Sequence, residues 1–293
     1  SREIQYGPTP AWVLAVPTPT DAASQRGAPA QIIYQDSQYR VTDKGEEAFT
    51  AYRMKILTAQ GLAAGAVGAS WQGDLDTLTV HGLKVYRGDQ VIDVLKTTKF
   101  EVVQRERNLE YSMLDGMLTA VLQAPGLQIG DEIEFSATVL RTDPVLKGRV
   151  SGGAQLPPIA SPGAYRFRLL WPKAYPLRWK ATPDLGALAP TALGAEQDLT
   201  LELRNPKTII LADAAPDRVN MRRLIEFSSF TDWADVATLM QPLYDAASTL
   251  GPNSAVRREA AKIAATTSDP TKRAEAALRL VQENVRYVFV GLN

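Results

Sequence analysis

The spacing of apolar positions changes character once along the chain. Up to about residue 230, apolar and polar residues alternate in short runs, the period of half-buried strands. Tyr52, Met54 and Ile56 share one side of such a run, with Arg53 and Lys55 on the other. Ile133, Phe135, Ala137 and Val139 form a second run, and Tyr165, Phe167, Leu169 and Trp171, interleaved with Arg166 and Arg168, form a third. From Trp233 the spacing becomes helical, with Val236, Ala237, Met240, Leu243, Tyr244, Ala247 and Leu250 continuing one stripe. Asp269-Pro270 then supplies an N-cap and a proline at the first helical position, ahead of a second stripe of Ala274, Ala277, Leu278, Val281 and Val285. Val285 to Leu292 read as a strand leaving that helix.

Breakers divide the alternating part. Leu78 and Val80 change phase against Leu83 and Val85 across Gly82, which predicts a β-bulge. Arg87-Gly88-Asp89 sits between two apolar pairs, where glycine and aspartate suit a hairpin turn better than an adhesion motif. Asp115-Gly116 and Gly130-Asp131 mark further turns. The uncharged run Ile56 to Gly73 holds four glycines, too many for a membrane-spanning helix, and is predicted to be a flexible connection. Further strands are predicted at 177–180, 199–204, 208–211 and 221–227. The proline-bearing residues 1–30 read as an extended leader able to add one edge strand. Breakers cluster again at 150–162, which sets a domain boundary. The expected architecture is therefore mainly β: two consecutive antiparallel β-sandwich-like domains at 31–155 and 156–230, then a helical segment at 231–293.

Composition narrows the chemistry. The 293 residues contain no cysteine, which removes disulfides, thiolate metal sites and cysteine nucleophiles from them. The single histidine, His81, rules out a multi-histidine metal site and is expected on a strand's polar face at the surface. Lys plus Arg equals Asp plus Glu at 32 each, without a long like-charged block, so no nucleic-acid footprint is implied. Nucleophile elbows, phosphate loops and His-Glu-x-x-His patterns are absent from the sequence, and no cofactor is called for. Asp74-Leu75-Asp76 fits a turn better than a calcium loop. A glycosidase-type carboxylate pair stays open, since spacing in sequence does not set separation in space. The rings between Arg166 and Arg168 suit a stacking platform for sugars or bases, or, as preferred here, a core face with the guanidinium groups in water. Arg105-Glu106-Arg107 is a mutually paired cluster or a ligand or interdomain contact.

Asp89-Gln90-Val91-Ile92-Asp93, Glu106-Arg107-Asn108-Leu109-Glu110, Leu114-Asp115-Gly116 and Gly130-Asp131 together resemble the DUF3857 domain. Phe227-Ser228-Ser229-Phe230-Thr231-Asp232-Trp233 and Arg286-Tyr287-Val288 resemble the passage from that domain into a transglutaminase-like catalytic domain. The resemblance implies a bacterial envelope protein, periplasmic or secreted, whose papain-like Cys-His-Asp centre follows the segment matching Tyr287 to Asn293. A helix N-terminus and a neighbouring imidazole would favour the attacking thiolate in such a centre. None of those three residues carries over, and His81 does not correspond to the family histidine. The chain is accordingly expected to be inactive alone, a truncated fragment that positions a protein, peptide or peptidoglycan-related substrate. The alternatives are a β-sandwich module binding envelope peptide or glycan, and a structural spacer. Arg105, Glu106, Arg107, Trp233 and Tyr287 are the candidate contact residues.

Overall fold

The computed structural model describes residues 1–15, 27–104, 112–114, 116–156, 162–209, 222–286 and 288–290. The alternating runs become β1 (Gln5–Tyr6), β2 (Ala30–Thr42), β3 (Gly45–Ile56), β4 (Ala66–Gln72), β5 (Asp76–Arg87), β6 (Gln90–Asp93), β7 (Glu101–Gln104), β8 (Met113–Leu114), β9 (Met117–Gln123) and β10 (Glu132–Arg141). Beyond them lie β11 (Ser151–Gln155), β12 (Ala164–Pro172), β13 (Arg178–Ala181), β14 (Thr191–Leu193), β15 (Glu196–Arg204) and β16 (Leu224–Ser228). Helices α1 (Trp233–Ser248), α2 (Ala255–Thr266) and α3 (Pro270–Asn284) follow, and β17 (Phe289–Val290) closes the described chain. The chain forms two compact units, one of Ser1–Arg105 with Gly116–Thr231 and one of Glu106–Asp115 with Asp232–Leu292.

The first unit is organised on a nine-stranded sheet in the order β1-β5-β10-β3-β2-β12-β15-β14, with β6 hairpinned onto β5. Two smaller sheets, β4-β9-β7 and β11-β16-β13, accompany it. Burial separates two cores. Trp71 and Val67 of β4 and Leu118, Ala120 and Leu122 of β9 meet Leu78, Val80, Leu83 and Val85 of β5 and Ile133, Phe135 and Ala137 of β10. Val41, Phe167, Leu169, Trp171, Leu199 and Leu201 meet Ile225 and Phe227 of β16 in the other. The predicted alternations at 133–137 and 165–171 thus supply the inward rows.

Two expectations are corrected. The breakers at 150–162 do not divide the sheet: β12 runs parallel to β2, with Ala164 opposite Tyr34 and Leu170 opposite Arg40. The two sandwich-like halves therefore share one sheet, and its ladder mixes antiparallel pairs with the parallel β1–β5 and β2–β12 pairs. Hydrogen bonding at an open strand edge decided this, and edges leave no mark in local sequence. The second correction concerns 56–73, where a 3-10 turn over Ala59–Gly65 leads into strand β4 rather than a loose connection. There Trp71 is fully buried, and a Cβ on Gly68 would stand 3.3 Å from the Ala120 carbonyl oxygen, so small residues let β4 lie close to β9.

The predicted bulge is present. Ser136 pairs with Gly82 and Ala137 with Val80, which leaves His81 as the extra residue of β5. That insertion keeps Leu78 and Val80, and then Leu83 and Val85, on the core side. The β5–β6 hairpin turns at Gly88-Asp89, with Gly88 at φ 55°. Arg87 is used internally, its Nε and Nη2 donating to the buried Asp131 carboxylate at 2.9 and 2.7 Å.

In the second unit, Asp232 caps α1 by accepting from the Asp235 N–H at 2.8 Å. Asp269 caps α3 by accepting from the Thr271 N–H at 2.8 Å. The short strand predicted near the end is β17, which pairs in parallel with β8. Helix α2 was not anticipated; its alanine-rich, strongly helix-forming composition is the signal that marks it.

Candidate functional site

Of the candidate contact residues, Arg105, Glu106, Arg107 and Tyr287 lie outside the described residues. Trp233 is the first residue of α1 and is 86% exposed. The convergent polar groups lie elsewhere, in two clefts of the sheet-based unit that the sequence had not singled out.

The larger cleft, about 740 Å³, opens where the β2–β3 hairpin, the β4–β5 turn and the β10–β11 connection converge. Register builds its floor. Arg141 ends β10 directly between Glu46 of β3 and Asp76 of β5, so a guanidinium stands in one row with a carboxylate on each side. Arg141 Nη1 donates to Glu46 Oε1 at 3.1 Å. Burial pushes the Glu46 carboxyl above the usual carboxylate range, while Arg141 pulls it back and Asp76 adds to the rise. Asp76 is raised for the same leading reason, although its Oδ2 accepts from the Gln72 N–H at 3.0 Å. Such an arrangement suits hydroxyl, amide or ammonium groups. Among the described residues, no group of three or more His, Cys, Asp or Glu side chains is placed to hold a metal ion. Of the aspartates at 74 and 76, Asp74 accepts from Arg2 Nε at 3.1 Å, and Asp76 accepts from the Gln72 N–H.

The second cleft, about 550 Å³, lies between residues 9–15 and the opposite face of the sheet. Tyr34, Asp36, Phe49, His81, Lys84 and Glu134 contribute to its walls. The expectation of a surface histidine is corrected here, because the bulge turns His81 under the leader, where it is half-buried. Its Nδ1 lies 3.0 Å from the Gly7 carbonyl oxygen and its Nε2 lies 2.7 Å from Thr138 Oγ1. A carbonyl only accepts, so Nδ1 carries the proton and donates, and Nε2 accepts from the threonine hydroxyl. The ring also stacks on Phe49, with centroids 5.9 Å apart. Burial lowers the His81 pKa, and with both nitrogens engaged the imidazole offers no open base.

The guanidinium groups expected in water are also corrected. Arg166 and Arg168 are 4% and 2% exposed, beneath residues 12–14, and pair with Asp36 and Asp198 at 2.8 and 2.7 Å. The sequence pattern had assigned them to the outer face correctly; what it lacked was the leader that covers that face.

Sheet, bulge and clefts define a mainly β protein built on a two-cored sheet. Residues 42–210, more than half of the chain, match the domain of unknown function with solved structure, DUF3857, and the chain belongs to that family. No curated protein matches it. Among solved structures, a candidate protease from Parabacteroides distasonis superposes with a TM-score of 0.68 at 12% identity, over 87% of this chain and 50% of that one. The chain thus spans half the length of that protein, and the likeness is one of fold. An M1 zinc metallopeptidase from Deinococcus radiodurans reaches a TM-score of 0.34 at 13% identity, over 68% of this chain and 42% of that one, too low for a fold assignment. Among the described residues no helix is long and apolar enough to cross a membrane.

Proposed function

We propose that this chain is a non-catalytic region of a bacterial envelope protein with transglutaminase-like, thiol-dependent acyl-transfer or peptidase chemistry. Its role there is to position a peptide or peptidoglycan-related substrate, in the periplasm or outside the cell, for a catalytic core that α1–α3 begin. The observation that carries this reading is the state of the helices. Among the described residues of α1, α2 and α3 none is buried, although each helix is amphipathic. Leu243, Tyr244, Leu278, Val281 and Val285 all remain exposed. Burying each such side chain is worth about 1.5–3 kcal/mol, so these stripes suit packing against further folded structure. Two further facts support it: the 293 residues hold no cysteine, and their one imidazole is engaged at both nitrogens. The Parabacteroides distasonis protein of similar fold, of which this chain matches half, is itself described as a candidate protease.

The test compares amine incorporation and amide hydrolysis by the whole encoded polypeptide and by the 293-residue chain. Turnover is expected only from the former, and thiol alkylation should abolish it. Turnover by the 293-residue chain that resists alkylation would overturn the proposal.

A further inference from the structure

The outer face of the sheet carries a polar cluster that stability alone does not explain. Asp36, Gln38, Arg166 and Arg168 are 1%, 0%, 4% and 2% exposed. They stand in two adjacent rows, since Arg166 is the register partner of Asp36 and Arg168 that of Gln38. Arg166 donates from Nε and Nη2 to the two Asp36 oxygens at 3.0 and 2.8 Å, and Arg168 donates to Asp198 at 2.9 and 2.7 Å. Buried ion pairs are costly to desolvate, and apolar residues of similar volume often replace them without loss of stability.

What this cluster does is hold main chain. The Gln38 amide takes both polar groups of Leu14: its Oε1 accepts from the Leu14 N–H at 3.0 Å and its Nε2 donates to the Leu14 carbonyl at 2.8 Å. Arg166 Nη2 donates to that same carbonyl, and Arg168 Nη1 donates to the Trp12 carbonyl at 2.6 Å. The ion pairs fix the guanidinium planes, so their remaining N–H groups stand preorganised toward carbonyls two residues apart. None of these bonds involves a side chain of residues 12–14. Beside them, Trp12 and Val13 pack against Ile33, Tyr34, Phe49, Ala51 and Ala164, after a turn closed by the Val13 N–H on the Pro10 carbonyl at 3.0 Å. Main-chain donors and acceptors beside an apolar side-chain seat are the two components by which extended peptides are recognised.

The leader is also an imperfect occupant. The Trp12 indole Nε1 is buried and has no hydrogen-bond partner among the described residues. A phenylalanine in the same seat brings no donor that could be left unmet.

We infer that Gln38, Arg166 and Arg168 form a peptide-binding site in which residues 12–14 are an intramolecular, displaceable occupant. Its ligand class is a short peptide with a proline turn, an aromatic residue and a further apolar residue, bound through its main chain. The inference stands whether or not the proposed catalytic context holds, because its test involves no turnover.

The probe is a synthetic peptide with the sequence of residues 8–15, labelled for fluorescence anisotropy and titrated onto the full chain. Two variants weaken the internal occupant: the double substitution Trp12→Gly with Val13→Gly, and Leu14→Pro, which removes the N–H bonded to Gln38 and constrains the backbone there. Each folded variant should bind the peptide at least tenfold more tightly than the unsubstituted chain. A peptide with phenylalanine in place of tryptophan should bind more tightly still, and adding Gln38→Leu should cost tenfold or more. Absence of binding to the folded variants overturns the inference, as does binding unaffected by Gln38→Leu. Failure of both variants to fold also overturns it, because residues 12–14 would then be a fixed part of the core.

Discussion

His81 and Thr138 are joined by a 2.7 Å hydrogen bond across β5 and β10, at the point where the bulge inserts one residue into the ladder. Because Nδ1 is committed to the Gly7 carbonyl, protonating the ring at Nε2 forces the threonine hydroxyl to stop donating to it.

The first prediction concerns pH. Burial lowers the His81 pKa in the folded chain, so between its folded and unfolded values the unfolded state binds more protons. The stabilisation is complete above the unfolded value of about 6.5 and is lost as pH falls from there through the folded pKa. Asp36, Glu46 and Asp76 are raised by burial and act in the opposite sense. The difference between the native chain and His81→Gln isolates the imidazole. Thermal unfolding should show that difference constant above about pH 7.5 and moving against the native chain below about 6.5. A difference independent of pH from 8 to 5 would contradict the assignment.

A second prediction follows from the shared sheet. Trp71 is fully buried in one core, and truncating such a side chain costs about 3–5 kcal/mol. Since β2 and β12 are hydrogen-bonded neighbours, Trp71→Ala should lower amide-exchange protection in β12 and β15 as well as in β9 and β10. Losses confined to β4, β9 and β10 would show two independent folding units.

Gly45 and Gly88 give a paired test of backbone demand. Both have positive φ, 135° and 55°, but a Cβ on Gly45 would lie 2.0 Å from the Arg141 carbonyl oxygen, whereas Gly88 has nothing within 4 Å. Gly88→Ala should cost about 1–2 kcal/mol, the left-handed penalty alone. Gly45→Ala should cost more and should disturb the Arg141–Glu46 pair on the floor of the larger cleft. Chemical denaturation of both variants checks the order.

The Arg87–Asp131 pair predicts coupling that acid removes. Its hydrogen bonds hold the Asp131 carboxyl below the usual range. The stabilisation is therefore present above the unfolded carboxylate value and lost as pH falls through the folded one. A double-mutant cycle with Arg87→Met and Asp131→Asn should give favourable coupling at pH 7 that disappears in acid. Equal coupling at both extremes would mean that charge plays no part.

Features set by a few neighbouring residues were legible in advance. The phase change around Gly82 located the bulge, Gly88-Asp89 located the hairpin, and Asp269-Pro270 located a capped helix start, since each depends on local sterics or a local hydrogen bond. The union of β2 with β12 was not legible, because Asp36 and Arg166 are 130 residues apart and neither pattern names the other. The clefts escaped for the same reason. Arg141, Glu46 and Asp76 become one row only through register, and His81 becomes half-buried only when residues 7–15 cross it. Arg166 and Arg168 were placed on the correct face, but no local signal reports that a distant segment covers it.

The parallel run of β2 beside β12 has a mechanical side. Seven consecutive register partners bind strands pointing the same way, at the middle of the nine-stranded sheet. Tension applied between the start of β2 and the end of β12 loads those bonds in shear, so they must yield together instead of unzipping in turn. Along that line of pull, the seven-residue ladder is where the two halves of the sheet resist as one.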